Sequence, residues 1–220
     1  MSAGSVRFVG CGPGAADLLT MRAVRALATA DIVIWNATLL DRQALSEHTR
    51  ADAEILEWPP ATRVDIERAF DRARAEELIV VRLKGGDPTL FGALEEELSA
   101  ARERGLACDI VPGVSALSAT EAALGSELAS PAALLVVDAA ALVDGVPEAS
   151  AIAVYGASRE PRAVQHALLA RGLAGTAPCT LAIEVSRPDE MLVSCALEDL
   201  GETIEDMSVG LLSIVVARAS

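Results

Sequence analysis

A carboxylate set beside bare main chain is the most chemically suggestive feature of this sequence. In residues 79–92, IVVRLKGGDPTLFG, Gly85 and Gly86 stand immediately before Asp87. Paired glycines remove Cβ atoms where a ligand would approach backbone. Asp87 beside them suits a hydroxyl or a positive charge rather than a phosphate. The alternative is a tight turn in which Asp87 caps the next helix. A second glycine cluster, Gly10-Cys11-Gly12-Pro13-Gly14-Ala15, satisfies the GxGxxG/A spacing of dinucleotide sites. Pro13 takes away an N–H where a pyrophosphate needs donors. The following strand ends in Asn36 rather than an acid that would hold a ribose. A glycine-tightened loop is therefore the better reading. Ser115, in VPGVSALSAT, follows a strand as a nucleophile would, but Leu117 stands where that elbow needs glycine. Ser115 reads as a helix cap or a hydrogen-bond donor to a ligand.

Other chemistries find little support. The cysteines (Cys11, Cys108, Cys179, Cys195) are far apart, and the histidines are only His48 and His166, so neither a metal site nor a disulfide framework is expected. The net charge of −14 argues against nucleic acid and anionic membrane surfaces as partners. No apolar run approaches the length of a spanning helix, and residues 1–10 lack the apolar core of a signal peptide. A cytoplasmic protein is expected. The acids Glu95, Glu96 and Glu97 read as a wetted helix face.

The elements that must position these residues alternate. Strands are expected at 6–10, 31–35, 54–58, 79–83 and 108–111, with helices at 18–30, 41–49, 64–77, 92–105 and 115–124. That order predicts a parallel, doubly wound α/β domain, whose ligands bind beyond the carboxyl ends of its strands. After Pro131 the pattern restarts. Strands are expected at 132–137, 151–155, 180–185 and 211–217, with helices at 161–171 and 196–204. This predicts a second α/β domain with a mixed sheet, the boundary lying between residues 113 and 114.

GCGPGAADLLT, VVRLKGGDPTLFG and DIVPGVSALSAT follow one another in the order and spacing of the tetrapyrrole methylases, and the chain resembles that family. These are S-adenosylmethionine-dependent enzymes of cobalamin and sirohaem synthesis. The resemblance implies two α/β domains with a roughly five-stranded sheet each, the cofactor lying in the cleft between them. It also implies a homodimer, a tetrapyrrole or corrinoid substrate, and S-adenosylhomocysteine as product. Carried over residue by residue, the cofactor contacts fall on Pro13, Gly85, Gly86, Asp87, Leu90, Ser115 and Ala116. In the second domain they fall at Tyr155, Gly156, Ala182 and Ser186.

The LKGGD loop looks like that of the uroporphyrinogen-III C-methyltransferases. Asn36 and Trp58, however, stand where those enzymes carry an Asp and a Lys, and no catalytic residue is assigned. WNATLL and EVSRPDE look more like the precorrin-4 C11-methyltransferases, whose type the chain is expected to share. A uroporphyrinogen-III-type enzyme and a divergent, non-catalytic binder of cofactor or tetrapyrrole are the alternatives. Residues 131–151 are about twenty residues shorter than the family pattern, and Leu128-Ala129 replaces its Leu-Thr. Arg82, Lys84, Arg159, Arg162 and Arg187 are the cations available to a carboxylate-rich substrate, each otherwise an ordinary surface charge.

Overall fold

A computed structural model describes residues 4–128, 133–142, 151–208 and 213–218. Ala129 and residues 131–132 and 143–150 of the shortened segment lie outside the described residues, as do the opening residues of the strands expected from 132 and from 211. The chain divides into two compact units, Met1–Ser115 and Ala116–Ser220.

The first unit is built on strands β1 (Ser5–Gly10), β2 (Ile32–Trp35), β3 (Glu54–Glu57), β4 (Ile79–Lys84) and β5 (Ala107–Val111). They form one sheet in the order β3-β2-β4-β1-β5, and every pairing is parallel. The intervening helices are α1 (Met21–Leu27), α2 (Arg42–His48), α3 (Arg63–Glu76) and α4 (Glu95–Glu103). Successive strand residues point to opposite faces, so the buried runs serve two layers. Val33, Trp35, Val81 and Leu83 pack with Ala26 and Leu27 of α1 and Leu45 of α2. Ile32, Ile34 and Val80 pack with Phe70 of α3 and Leu98 of α4. A sheet covered on both faces leaves only the ends of its strands for ligands.

Two helices start later than their apolar spacing suggests. The helix expected over 18–30 begins at Met21, where the Thr20 side chain accepts the Ala23 N–H at 3.1 Å. A short 3₁₀ turn, Ala16–Leu18, precedes it. GCGPGA therefore does not deliver its glycines to a helix N-terminus, as a pyrophosphate site requires. The helix expected from Gly92 begins at Glu95. The residues before it form a loop in which Phe91 and Ala93 have φ of 56° and 46°.

The second unit holds β6 (Leu134–Asp138), β7 (Ala151–Tyr155), β8 (Pro178–Ile183), β9 (Met191–Ala196) and β10 (Ser213–Arg218), in the order β6-β7-β10-β8-β9. β6 and β7 are parallel, and the remaining pairs are antiparallel. Its helices are α5 (Ala116–Leu124), α6 (Pro161–Ala170) and α7 (Leu200–Asp206). β9 has no counterpart among the expected strands. Its exposure alternates poorly and Met191 and Leu192 are exposed, so no period-two signal marks it. The helix expected over 196–204 accordingly shortens to α7, preceded by a 3₁₀ turn at Leu197–Asp199.

Candidate active site

Three strand ends of the first unit meet in a glycine-to-glycine junction. Beyond β1 and β4, Gly12 and Gly86 form an antiparallel bridge, with Gly86 N donating to Gly12 O at 2.8 Å and Gly12 N to Gly86 O at 3.3 Å. Gly113, beyond β5, lies so close that a Cβ there would stand 2.1 Å from Gly86 O. A Cβ on Gly10 would stand 2.6 Å from both Gly113 N and Gly86 O. No side chain fits at those separations. Gly86 also has φ of 59°, a left-handed conformation that favours glycine.

The paired glycines also have roles within the fold. The missing Cβ atoms that allow the close approach are those of Gly10 and Gly113, Gly86 supplies the left-handed φ, and the Cβ that Gly85 lacks would meet the Leu39 side chain at 2.9 Å. The fold thus demands glycine at Gly86 through its left-handed φ, and only weakly at Gly85, where the flexible end of Leu39 can give way. Pro13, Gly85, Gly86, Asp87, Leu90 and Ser115, in the loops that leave these strands, are all half-buried.

Asp87 ties the junction together. Its Oδ1 accepts from Thr89 N at 2.8 Å and from the Thr89 hydroxyl. Its Oδ2 accepts from Gly113 N at 3.1 Å. Leu90 N donates to Asp87 O at 3.1 Å, which closes a turn rather than starting a helix. The capping alternative therefore becomes a turn that also reaches β5. Burial pulls the Asp87 carboxyl upward and is the largest influence on it. The Thr89 and Gly113 hydrogen bonds together outweigh that and hold it below the usual carboxylate value. An ionised carboxylate offers about four lone-pair directions. The three donors from Thr89 and Gly113 leave one for a hydroxyl or an amine.

Beneath this loop lies a buried ionic group that reading by residue type missed. Arg82 and Lys84 are 6% and 7% exposed, so they are not surface cations and do not line an open trough. Arg82 grips Glu97 through Nε at 2.8 Å and Nη2 at 3.1 Å, while Lys84 Nζ reaches Glu97 Oε1 at 2.8 Å. Arg82 also lies over the Trp58 ring, 5.9 Å from its centre. Of the three acids read as a wetted face, Glu97 therefore turns inward. Burial is the largest influence on both Lys84 and Glu97. It draws the Lys84 ammonium down, with Glu97 opposing. On the Glu97 carboxyl it acts upward and is overcome by Arg82 and Lys84, so that carboxyl stays below its ordinary value. One signal was available: two cations at alternate positions of an apolar strand share one face, and β4 is buried on both.

In the second unit, Tyr155 and Ala182 meet α5 near its start at Ala116. The Tyr155 hydroxyl accepts from Leu117 N at 3.0 Å, satisfying an N–H of the first helical turn. Ala182 is 1% exposed and packs with Ala116, Ala119 and Val185. Its cross-strand partners are Ile214 of β10 and Leu192 of β9. Gly156 follows Tyr155 with φ of 72°. The turn after β8 is strained, Glu184 and Ser186 having φ of 48° and 68°, each costing about 1–3 kcal/mol for a non-glycine residue. Ser186 N donates to Glu190 at 2.6 Å. Arg159, Arg162 and Arg187 pair with Asp138, Glu205 and Glu184 at 3.6, 2.6 and 3.3 Å. At the end of β2, the Asn36 side chain accepts from Thr38 N and Oγ1 at 2.9 and 2.8 Å. No cluster of His, Cys, Asp and Glu able to hold a metal occurs among the described residues.

Residues 5–201 match the family model of the Tetrapyrrole (Corrin/Porphyrin) Methylases. The chain is 28% identical to a precorrin-4 C(11)-methyltransferase of Sinorhizobium sp, over 92% of this chain and 84% of that protein. It is also 28% identical to the precorrin-4 C(11)-methyltransferase of Rhodococcus erythropolis, covering 96% and 90% of the two chains. The crystal structure of a cobalt precorrin-4 methyltransferase of cobalamin biosynthesis superposes with a TM-score of 0.83 at 25% identity, over 97% of this chain and 94% of that one. A uroporphyrin-III C-methyltransferase from Thermus thermophilus, solved with S-adenosylhomocysteine, superposes with a TM-score of 0.78 at 26% identity, over 98% and 97%.

Proposed function

The chain belongs to the tetrapyrrole (corrin/porphyrin) methylases, and from that membership we propose that it is an S-adenosylmethionine-dependent C-methyltransferase of the precorrin-4 C11 type, acting in cobalamin biosynthesis. The observation that carries the reading is the junction of Gly12, Gly86, Asp87 and Gly113. It sets an ionised carboxylate with one spare acceptor direction at the carboxyl edge of a doubly wound sheet.

The residues fit the cofactor. Asp87 takes a hydroxyl or the ammonium of a cationic, ribose-bearing ligand. The half-buried backbone of Gly85 and Gly86 admits a flat group, and Pro13 and Leu90 supply apolar contact beside it. Ser115 adds a hydroxyl just before α5. Ala116, Tyr155, Gly156, Ala182 and Ser186 are assigned to the same ligand by family resemblance. Of these, Ala182 has its side chain in the apolar cluster with Ala116. S-adenosylmethionine supplies an electrophilic methyl on sulfur, so the protein needs neither a metal nor a covalent nucleophile. Its own contribution is to hold the donor in line with the acceptor carbon, which removes much of the entropic barrier. The acceptor type rests on the named relatives and on the WNATLL and EVSRPDE segments.

A homodimer and a cytoplasmic location complete the proposal. No helix among the described residues is long and apolar enough to cross a membrane. Calorimetric titration with S-adenosylhomocysteine, with NAD as control, tests the site. Micromolar binding of the first alone is expected, and binding of NAD alone would overturn the cofactor. Mass spectrometry of precorrin-4 and uroporphyrinogen III incubated with enzyme and S-adenosylmethionine tests the acceptor. Methylation of uroporphyrinogen III alone would overturn the precorrin-4 reading. Light scattering tests the dimer.

A further inference from the structure

The loop from Asp87 to Leu94 is a closed, strained ring fastened at three points. Leu90 N donates to Asp87 O at 3.1 Å. Gly92 lies against Pro88, where a Cβ would stand 2.3 Å from the Pro88 carbonyl oxygen. The far end is held from below, by Lys84 Nζ donating to Ala93 O at 3.3 Å. Phe91 and Ala93 both carry positive φ, which non-glycine residues keep only when their surroundings enforce it. Packing alone does not enforce it at Ala93. That residue borders a cavity of about 200 Å³ whose wall includes Trp58, Ile66, Phe70 and Glu97.

Lys84 is the last residue of β4, directly before Gly85, and its ammonium is aimed by Glu97 on α4. Glu97 is aimed in turn by the two-point grip of Arg82. The chain Arg82–Glu97–Lys84–Ala93 thus joins the sheet, the following helix and the carbonyl that closes the loop. An ammonium can hold a carboxylate and a carbonyl at once because it carries three donors. Glu97 fixes its direction, so removing either partner releases Ala93 O.

We propose that Lys84 and Glu97 are positioning residues for cofactor binding, holding the Asp87–Leu94 loop in the strained shape that presents Asp87 and Leu90 to S-adenosylmethionine. The inference rests on the cofactor reading above. It predicts that the ionic group acts on the affinity for the donor and leaves the transfer step itself nearly unchanged.

The test compares parent, Lys84→Met, Glu97→Gln and Lys84→Arg. It combines calorimetric titration with S-adenosylhomocysteine, methyl transfer at varied S-adenosylmethionine, and thermal midpoints. Lys84→Met and Glu97→Gln are expected to raise the Kd and the KM for the donor at least about tenfold. In both, kcat at saturating donor should stay within about threefold. Lys84→Arg, which keeps charge and donors, should recover part of the affinity. A lowered thermal midpoint with unchanged Kd would make the group purely structural and overturn the proposal. Absence of binding by the parent would overturn the cofactor reading instead, and this inference with it. Should Lys84→Met not fold, limited proteolysis of Glu97→Gln decides. Faster cleavage within residues 88–94, suppressed by S-adenosylhomocysteine in the parent, supports the clamp, and parental cleavage overturns it.

Discussion

Asp87 carries two burdens that a substitution separates. As a loop carboxylate it would be expected to contribute little to stability. Its bonds to Thr89 and Gly113 tie the β4 loop to the β5 loop, however. Asp87→Ala should therefore lower stability by about 1 kcal/mol, chiefly through loss of the part-buried Gly113 bond, since the exposed Thr89 donors turn to water, as well as weaken S-adenosylhomocysteine binding. Urea denaturation and calorimetry on one sample check both. Asp87→Asn keeps an acceptor toward Thr89 and should lose less stability while still losing affinity. The folded pKa of Asp87 lies below its ordinary value. Its stabilising contribution is therefore fully present above the unfolded value of about 3.9 and is lost as pH falls through the folded value. Thermal midpoints of the parent should fall more steeply below about pH 4 than those of Asp87→Asn. Parallel curves would remove Asp87 from the acid response.

At the scale of elements, the strand ends are held by main chain meeting main chain. Gly113→Ala would push a Cβ to 2.1 Å from Gly86 O, with backbone on both sides. A loss of about 1–3 kcal/mol, or failure to fold, is expected from such overpacking. Gly85→Ala meets only the flexible end of Leu39 at 2.9 Å and should cost less, since that side chain can turn away. Urea midpoints of the pair rank the two, and equal losses would contradict the junction. Farther from the site, the capping box of α3 offers a control. Thr62 accepts from Asp65 N at 3.3 Å and donates its own N–H to Asp65 at 2.8 Å. Thr62→Ala should cost about 1 kcal/mol and leave cofactor affinity at the parental value. These contrasts lie beyond sequence patterns. A glycine held at a left-handed φ and one that faces a leucine look the same in GGDP.

For the whole molecule, a ligand held only by the folded chain must raise its stability by mass action. S-adenosylhomocysteine at roughly a hundredfold excess over its Kd should add about 2.7 kcal/mol to the unfolding free energy, and NAD nothing. Thermal scans in the two ligands provide the check. Much of this architecture was legible in the sequence. The alternating strands and helices of the first unit, four strands of the second and the order of the glycine-rich motifs follow from local patterns, because strand and helix periodicities are short-range properties; the fifth strand of the second sheet came only with the family resemblance. The start of α4 was not legible, since the loop from Asp87 is closed by Pro88 and by Lys84 rather than by helix propensity. β9 was not legible because a strand with exposed Met191 and Leu192 declares itself only beside β8. The sequence by itself determined the family pattern, the acidic surface and the residues at the strand ends. Only the tertiary structure decided that Glu97 turns inward to Arg82 and Lys84, that Asp87 reaches Gly113, and that Gly10 and Gly113 let main chain meet main chain. Those choices join residues distant along the chain, and burial makes a charge find a partner that no local spacing specifies.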